Sequence, residues 1–320
     1  MRRCASTLLR LQNDVRGAKA QHPDRQLHLH QLYHPPKPQT IAHHSTMSSP
    51  LHEKTIPLYQ KDGQLHTHTN TITSIQALSS LPPSTQALFK PPPDTTPYIL
   101  TTPSTIFHAQ GGGQPTDTGT IVSLTPENRA TFHVHQVRQL APAILHMGVF
   151  DPPDEQFARD EKVQQNIDVA KRLLHSRIHT AGHVIGLAIN HLVKQKQLPS
   201  DILDGKASHY PNAAFVEFSG VIPSTAKSMI QDTVDALVAQ DLVVSIHFWD
   251  EETARRDCTG VLDTVKGDED GVRVVQIGNV GSYPCGGTHV RRLSECGKVV
   301  VRGVKRQKGV SKVGYEVQDA

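Results

Sequence analysis

Two histidines lie four residues apart in the run His179-Thr180-Ala181-Gly182-His183. In an α-helix, residues at this spacing share one face, so their imidazoles can bind the same zinc ion. Thr180 stands where a zinc metalloprotease of this spacing has its general-base Glu, which argues against a protease. Taken alone, the pair is also compatible with two histidines on a helix surface.

A second run, Cys285-Gly286-Gly287-Thr288-His289, combines a thiol and an imidazole in a glycine-rich turn. Zinc favours this mixture of ligands, and the paired glycines allow the backbone to turn tightly around an ion. The two runs together predict one zinc site, made of His179, His183, Cys285 and His289. The other thiols have no ligand-like neighbours and are predicted to be inert: Cys4, Cys258 and Cys296.

A third run is Gly111-Gly112-Gly113-Gln114-Pro115-Thr116-Asp117-Thr118-Gly119. It lacks the Gly-Lys-Ser/Thr of a phosphate-binding loop, and its glycines do not join a parallel strand to a helix as in a dinucleotide site. No ATP site is evident. Three adjacent glycines also occur in flexible hairpin loops.

In this order, the segment Thr105-Ile106-Phe107 with the glycine run, the histidine pair preceded by Arg177-Ile178, and the Cys285 run resemble the editing region of alanyl-tRNA synthetase. They are still more similar to the free-standing AlaX-type editing proteins, whose second half is a domain shared with threonyl-tRNA synthetase. The resemblance extends over residues 51–317. The sequence departs from the family pattern at His108-Ala109-Gln110, where relatives generally carry Tyr-Pro-Glu.

The resemblance implies that His179, His183, Cys285 and His289 bind Zn²⁺, and it places the catalytic cleft at Thr105, Gln114 and Asp117. The implied activity is hydrolysis of the ester in tRNA(Ala) mischarged with serine; removal of glycine is left open. Zinc would either activate a water or hold the substrate, depending on whether three or four residues bind it. Because this part of a synthetase lacks the aminoacylation core, we expect no charging of tRNA.

Serine differs from alanine by one hydroxyl, which an apolar pocket separates poorly and a hydrogen-bonding site separates well. We predict that Thr105 bonds this hydroxyl. The alternative is that Thr105 is an ordinary β-branched strand residue.

Basic residues are concentrated near the C-terminus, with only Glu295 among them. This pattern predicts either a tRNA phosphate contact or a solvated strand face. The predicted tRNA-binding residues are Arg291, Arg292, Arg302, Lys305, Arg306 and Lys308, with Lys298 and Lys312 in the same run.

The elements that must position these residues suggest an α+β fold. Short alternating runs at 64–75, 120–124, 131–137 and 144–149 predict a small β-rich, barrel-like domain over 51–150, with a proline-rich exposed insertion at 79–97. A helix is predicted from Asp151 to about Gln197, followed by strands at 213–218, 243–248, 272–277, 298–304 and 313–317 and a helix at 225–240. Residues 154–318 would form the zinc-binding editing domain, an α/β sandwich with a mostly antiparallel sheet.

Composition sets the broad limits. The chain has 320 residues and four cysteines, too few for a disulfide framework, and no apolar stretch near the roughly 20 residues of a membrane helix. Residues 1–46 carry seven basic and two acidic residues, whereas the remainder carries 26 and 28. The first 46 residues therefore suggest a disordered leader, either a mitochondrial transit segment or a stretch before the true start at Met47, on an otherwise cytoplasmic protein.

Two other functions are compatible with the sequence. One is a degenerate binding module that keeps zinc and tRNA contacts but has lost hydrolysis, which the His108-Ala109-Gln110 departure permits. The other is a zinc hydrolase for an unrelated small ester or peptide, which Thr180 and the glycine run disfavour. The oligomeric state is not encoded in any of these motifs.

Overall fold

The computed structural model describes residues 51, 53–260 and 266–319, which form one compact unit. The predicted leader, with both of its interpretations and Cys4, lies outside the described residues. None of the helices in these ranges combines the length and apolar character needed to cross a membrane.

The first part of the chain is built around a seven-stranded antiparallel sheet. In chain order its elements are β1 Ile56–Pro57, α1 Leu58–Lys61, β2 Thr67–Thr71, β3 Ser74–Ala77, α2 Pro83–Gln86, β4 Tyr98–Thr101, β5 Ser104–Thr105, β6 Gly119–Ser123, β7 Thr131–Leu140, β8 Ala143–Asp151 and β9 Lys162–Ile167. The sheet order is β2-β9-β6-β7-β8-β4-β3, and β1 pairs with β5 separately. Because the edge strands β2 and β3 are consecutive in sequence, the sheet curls towards a half barrel.

The predicted exposed insertion at 79–97 is partly wrong. Leu81 and Phe89 are buried, and they pack with Ile99, Leu145 and Met147 in a small core of their own. Prolines remove hydrogen-bond donors from a strand but do not prevent neighbouring apolar side chains from covering a sheet. Other parts of the segment lie exposed, as predicted, among them Pro82, Pro83, Pro91 and Pro93.

The second part of the chain is a mixed α/β arrangement whose sheets are antiparallel, as predicted for most of its strands. Its elements are α3 Val169–Lys194, β10 Leu203–Ser208, β11 Phe215–Ser219, α4 Lys227–Ala239, β12 Val244–Trp249, α5 Glu251–Asp257, β13 Val272–Ile277, β14 Gly281–Pro284, β15 Lys298–Gln307 and β16 Val310–Gln318. They form a four-stranded sheet, β10-β11-β16-β15, and a three-stranded sheet, β12-β13-β14. The apolar faces of α3 and α4 pack against these strands in one core.

Helix α3 is shorter than predicted. It begins after Asp168, whose carboxylate caps the helix by accepting from the Lys171 N–H. The upstream residues predicted to be helical include β9, in which Val163, Gln165 and Ile167 are buried alternately with more exposed neighbours. This period of two fits a strand between β2 and β6, so the helix prediction was wrong over 162–167. The predicted division of the chain into two domains near residue 150 stays a prediction.

Candidate metal and active site

The site begins on the buried face of α3. His179 and His183 lie one turn apart there, and the loop after β14 brings Cys285 and His289 to them. One potential ligand atom from each of the four residues lies within 4.8 Å of the others. The structure thus brings together all four residues predicted as metal ligands.

Two of the imidazoles are oriented by hydrogen bonds at Nδ1. His179 Nδ1 lies 2.7 Å from Gln114 Oε1, and His289 Nδ1 lies 3.1 Å from Thr180 Oγ1. When Nδ1 donates in this way, the lone pair of Nε2 is left for a metal ion. Each of these two Nε2 atoms lies 3.4 Å from Cys285 Sγ.

These distances fit a tetrahedral zinc ion. Ligands about 2.0 Å and 2.3 Å from one ion, at a tetrahedral angle, are separated by roughly 3.5 Å. The observed nitrogen–sulfur separations of 3.4 Å are close to this value. His183 differs from the other two histidines, because its buried Nδ1 has no hydrogen-bond partner among the described residues, and its ring is packed edge to face against Tyr283 at 4.8 Å.

Burial keeps the imidazoles of the site uncharged. Desolvation lowers the pKa of His179 and His289 well below the usual value, and lowers the pKa of His183 to about 3. Burial also raises the pKa of the Cys285 thiol. A site of neutral imidazoles offers ligands that are ready for a cation, and a bound divalent ion favours the thiolate over the thiol.

The glycine turn between Cys285 and His289 is required by a close approach. A Cβ on Gly287 would lie 2.2 Å from His179 Cε1 and 2.6 Å from Gln114 Oε1. The next residue, Thr288, donates its backbone N–H to Gln114 Oε1 and accepts from Gln114 Nε2 at its hydroxyl. The turn is therefore fastened directly to the residue that orients His179.

The predicted cleft residue Gln114 reaches the site, because the glycine run crosses from the first sheet to β10. Gly113 has a φ of +78°, which favours glycine, and a Cβ there would lie 2.5 Å from the Ala207 carbonyl oxygen. The Gly113 carbonyl accepts from the His209 N–H. The run is thus a bridge between two parts of the structure, and it makes no phosphate-binding loop.

Asp117, also predicted for the cleft, lies in a buried ion pair with Arg172 of α3. The carboxylate further accepts from the His108 N–H, and the guanidinium donates to the carbonyls of Gly63 and Ile106. Asp117 does not line the cavity at the metal site. Its place predicts a role in fixing the glycine run to the start of α3.

Thr105 is fully buried in β5, and the structure does not bring it to the metal site's cavity lining. His146 donates from Nδ1 to the Leu100 carbonyl, so its Nε2 accepts from the Thr105 hydroxyl at 2.8 Å. The same hydroxyl accepts from the Phe107 N–H. The proposed contact of Thr105 with substrate stays a prediction.

The metal site opens onto a cavity of about 870 Å³, at the upper end of the size range of small-molecule sites. The cavity follows α3 from His179 and His183 past Gly186 to Asn190. Its other wall is formed by β10 and by the segment at Tyr283–Gly286. The polar groups lining it away from the metal ligands are Asn190, Asp204, Lys206, His209, Thr259 and Tyr283.

Sequence reasoning missed His209 and the wall residues Asp204 and Tyr283. Asn190 donates to Asp204 Oδ2 and to the Tyr283 hydroxyl, which holds the Tyr283 ring beside His183. Strand β10 was not predicted, because its charged and small residues show no alternation of apolar and polar types in the sequence. For His209, the sequence offered only a single histidine without a motif around it.

The predicted tRNA-binding residues divide into two groups. Arg292 is paired with Asp241, and Arg302 donates to the carbonyls of Asn212 and Ala214. The other four are exposed and form no ion pair with any described residue: Arg291, Lys305, Arg306 and Lys308. Of the two flanking residues, Lys312 pairs with Glu217, and Lys298 is exposed.

Among the described residues, the other two cysteines, Cys258 and Cys296, are buried free thiols. The three residues that depart from the family pattern also lie away from the cavity. His108 is buried against Tyr59, and Gln110 is exposed and contacts Arg138. None of His108, Ala109 and Gln110 lines the cavity.

Comparison with known proteins agrees with the site. Residues 272–313, which include Cys285 and His289, match the model of the threonyl and alanyl tRNA synthetase second additional domain. The alanyl-tRNA editing protein AlaX-M of Methanosarcina barkeri is 29% identical over 205 residues, which are 63% of this chain and 79% of that protein.

The alanyl-tRNA editing protein AlaX-L of Pyrococcus horikoshii is 28% identical over 220 residues, or 66% of this chain and 49% of that protein. An alanine–tRNA ligase of Methanoculleus marisnigri is 30% identical over 222 residues, but the match covers only 22% of the ligase. The resemblance seen in the sequence motifs is confirmed: this chain is a relative of the AlaX-type editing proteins and of alanyl-tRNA synthetase.

Proposed function

We propose that this protein is a zinc-dependent hydrolase that removes serine from mischarged tRNA(Ala). The observation that carries the proposal is the group of His179, His183, Cys285 and His289, whose ligand atoms lie within 4.8 Å of one another beside a cavity of about 870 Å³. Two relatives named as alanyl-tRNA editing proteins support the substrate class.

A bound zinc ion would supply Lewis acidity at the ester, either through an activated water or through the carbonyl oxygen. Neighbouring residues of the chain orient the imidazoles that would bind this ion. Gln114 and Thr180 hold two imidazoles so that each Nε2 is directed towards Cys285 Sγ, and Asn190 holds the Tyr283 ring against the third imidazole. Fixed ligands keep a metal site in a geometry suited to reaction, without reorganisation during it.

We further propose that the exposed basic residues Arg291, Lys305, Arg306 and Lys308 bind the acceptor end of the tRNA. Arg291 follows His289 by two residues, and Lys305, Arg306 and Lys308 lie at the hairpin between β15 and β16. These side chains have no ion pair to break among the described residues. Tested by titrating tRNA affinity against salt, the Lys305→Ala/Arg306→Ala variant should give a shallower salt dependence than the wild type.

The direct test is single-turnover deacylation of Ser-tRNA(Ala) and of Ala-tRNA(Ala) by the zinc-loaded full chain. We expect rapid release of serine, sparing of alanine, and loss of serine release in Cys285→Ala. A folded, zinc-containing wild type that releases no serine would favour the alternative of a degenerate zinc- and tRNA-binding module. The placement of His108, Ala109 and Gln110 away from the cavity supports the hydrolase over this module.

A further inference from the structure

His209 is a buried histidine, 3% exposed, that lies against the metal site without being one of its four clustered ligands. Its ring stacks on that of His179, with a centroid distance of 4.2 Å and an angle of 23° between the planes. It also lines the cavity. Neither the sequence motifs nor the proposed hydrolysis gives it a role.

Hydrogen bonds fix which ring nitrogen of His209 carries the proton. The Tyr315 hydroxyl donates its single proton to the Ile178 carbonyl at 3.0 Å. The 2.7 Å contact between that hydroxyl and His209 Nδ1 therefore has Nδ1–H as the donor. In this tautomer, Nε2 carries a lone pair and can only accept.

The ring's surroundings direct Nε2 into the cavity. Of its two neighbours in the ring, Cε1 lies 2.4 Å from where a Cβ on Gly182 would stand, and Cδ2 lies 3.1 Å from where a Cβ on Gly113 would stand. Both glycines line the cavity. No hydrogen bond links Nε2 to any described residue. The atom is therefore a free acceptor in the space that stays open because Gly113 and Gly182 have no side chain.

The ring is held in place by its hydrogen bond to Tyr315 and by its stacking on His179. A fixed acceptor in a cavity is suited to a hydroxyl donor, because a substrate without the hydroxyl leaves the acceptor unpaired.

We propose that His209 is a specificity-determining residue, and that its Nε2 accepts a hydrogen bond from the side-chain hydroxyl of the acyl group in the cavity. The inference rests on the proposed function, which makes that group a seryl ester. Of the two donors that a seryl group offers, the hydroxyl is favoured over the α-ammonium, because a cation beside a divalent metal ion is repelled by it.

This assignment differs from that of Thr105. The Thr105 hydroxyl already donates to His146 and accepts from the Phe107 N–H, and it lies outside the cavity lining. His209 has its free acceptor inside the cavity. The two residues can be separated by experiment, since they lie on different elements and share no hydrogen bond.

The test variant is His209→Asn. The asparagine amide can replace Nδ1–H as donor to Tyr315, but it offers no acceptor at the position of Nε2. We expect serine release in single turnover to fall by about 10- to 100-fold, with alanine release unchanged within about threefold and zinc content unaffected. His108→Asn is the matched control, because it changes another buried histidine that does not line the cavity, so the serine-to-alanine ratio should stay unchanged.

Binding gives a second readout that does not depend on turnover. Adenosine carrying a 3′-amide-linked seryl or alanyl group is not hydrolysed, and its affinity can be measured by calorimetry with the zinc-loaded full chain. We expect the wild type to prefer the seryl analogue and His209→Asn to lose that preference. Thr105→Val, measured in parallel, reports the contribution of Thr105 separately from that of His209.

The possible results separate the two proposals. If the wild type releases serine but His209→Asn keeps the serine-to-alanine ratio, or lowers both rates equally, the role of His209 is overturned and the hydrolase stands. If no serine is released from Ser-tRNA(Ala), the proposed function fails, and a His209-dependent preference for the seryl analogue still supports the acceptor. Equal binding of the two analogues by the wild type overturns the proposed role of His209.

Discussion

Helix α3 carries two buried polar clusters that differ in whether their groups are paired. Near its N-terminal end, Arg172 pairs with Asp117, and both side chains also form hydrogen bonds with backbone groups. Two turns further on, His179 and His183 belong to a cluster whose facing atoms are three imidazole nitrogens and one thiol sulfur, with no ion pair among them. The first cluster pairs opposite charges within the protein, whereas the second is a group of four residues that could hold a metal ion.

This difference separates a structural role from a functional one on the same helix. A buried ion pair that also has hydrogen bonds to the backbone is already matched within the protein, and neither Arg172 nor Asp117 lines the cavity. The metal cluster opens onto a cavity, and His183 Nδ1 remains unpartnered within it. Burial alone, which the two clusters share, therefore does not identify the site.

The largest effect is expected from removing a ligand of the second cluster. Cys285→Ala deletes the sulfur that lies between two imidazoles, so zinc affinity and serine release should each fall by more than about 100-fold, beyond the usual cost of losing an outer partner. Zinc content after dialysis and single-turnover deacylation measure the two effects. Cys258→Ala, which removes a buried thiol elsewhere, should leave both unchanged; full zinc retention by Cys285→Ala would contradict the assignment.

The next largest effect tests the completeness of the first cluster. Arg172→Met leaves the Asp117 carboxylate buried and unpaired, which should lower the free energy of unfolding by about 3–5 kcal/mol. Urea unfolding of the full chain measures this change. The double variant Arg172→Met/Asp117→Asn removes the charge as well and should lose less; an equal or larger loss would show that the ion pair itself is not the source of the effect.

A smaller effect is expected where the two clusters are linked through the glycine run. Gln114→Ala removes the acceptor of His179 Nδ1–H, and loss of such an outer partner typically weakens metal binding by about 10- to 100-fold. Competition with a chelator of known zinc affinity measures it. Gln195→Ala, at the exposed end of α3, is the control, and unchanged affinity in Gln114→Ala would rule out an orienting role.

The smallest effect concerns pH and a buried histidine outside both clusters. Burial lowers the pKa of His146 to about 4, whereas the unfolded chain protonates near 6.5. Between these pH values the unfolded state binds the proton and the folded state does not, so stability decreases as pH falls from about 6.5 towards 4. His146→Gln should reduce this dependence by up to about 1.4 kcal/mol per pH unit in urea unfolding; an unchanged slope would contradict it.

Local spacing was enough to predict the metal cluster, because i, i+4 histidines on a helix and a short Cys–His turn are each set by nearby residues. The strands around 120–124, 131–137, 272–277 and 298–304 were likewise found from alternation. Strand β9 was missed because its alternating residues, such as Gln165, include buried polar groups. Gln165 is buried because its side chain donates to Thr102 and Ser104 and accepts from the Ile106 N–H, contacts made only in the folded chain.

The proposed role of His209 could not be predicted from the sequence for a similar reason. Its importance depends on Tyr315, which lies 106 residues away, and on two glycines from separate segments, Gly113 and Gly182. No local sequence pattern indicates that these residues come together. Gly113 and Gly182 belong to motifs that were visible in the sequence, but the space beside them exists only in the folded chain.

The side-chain amide of Gln114 has a consequence for how the molecule is put together. It belongs to the segment between β5 and β6, yet its oxygen accepts from His179 and from the Thr288 N–H, while its nitrogen donates to the Thr288 hydroxyl. A fragment beginning at α3 would possess every one of the four clustered ligands and lack the group that sets the tautomer of the first. We therefore expect a fragment that begins at α3 to hold a metal ion more weakly than the full chain, because the orienting group for His179 comes from the first part of the chain.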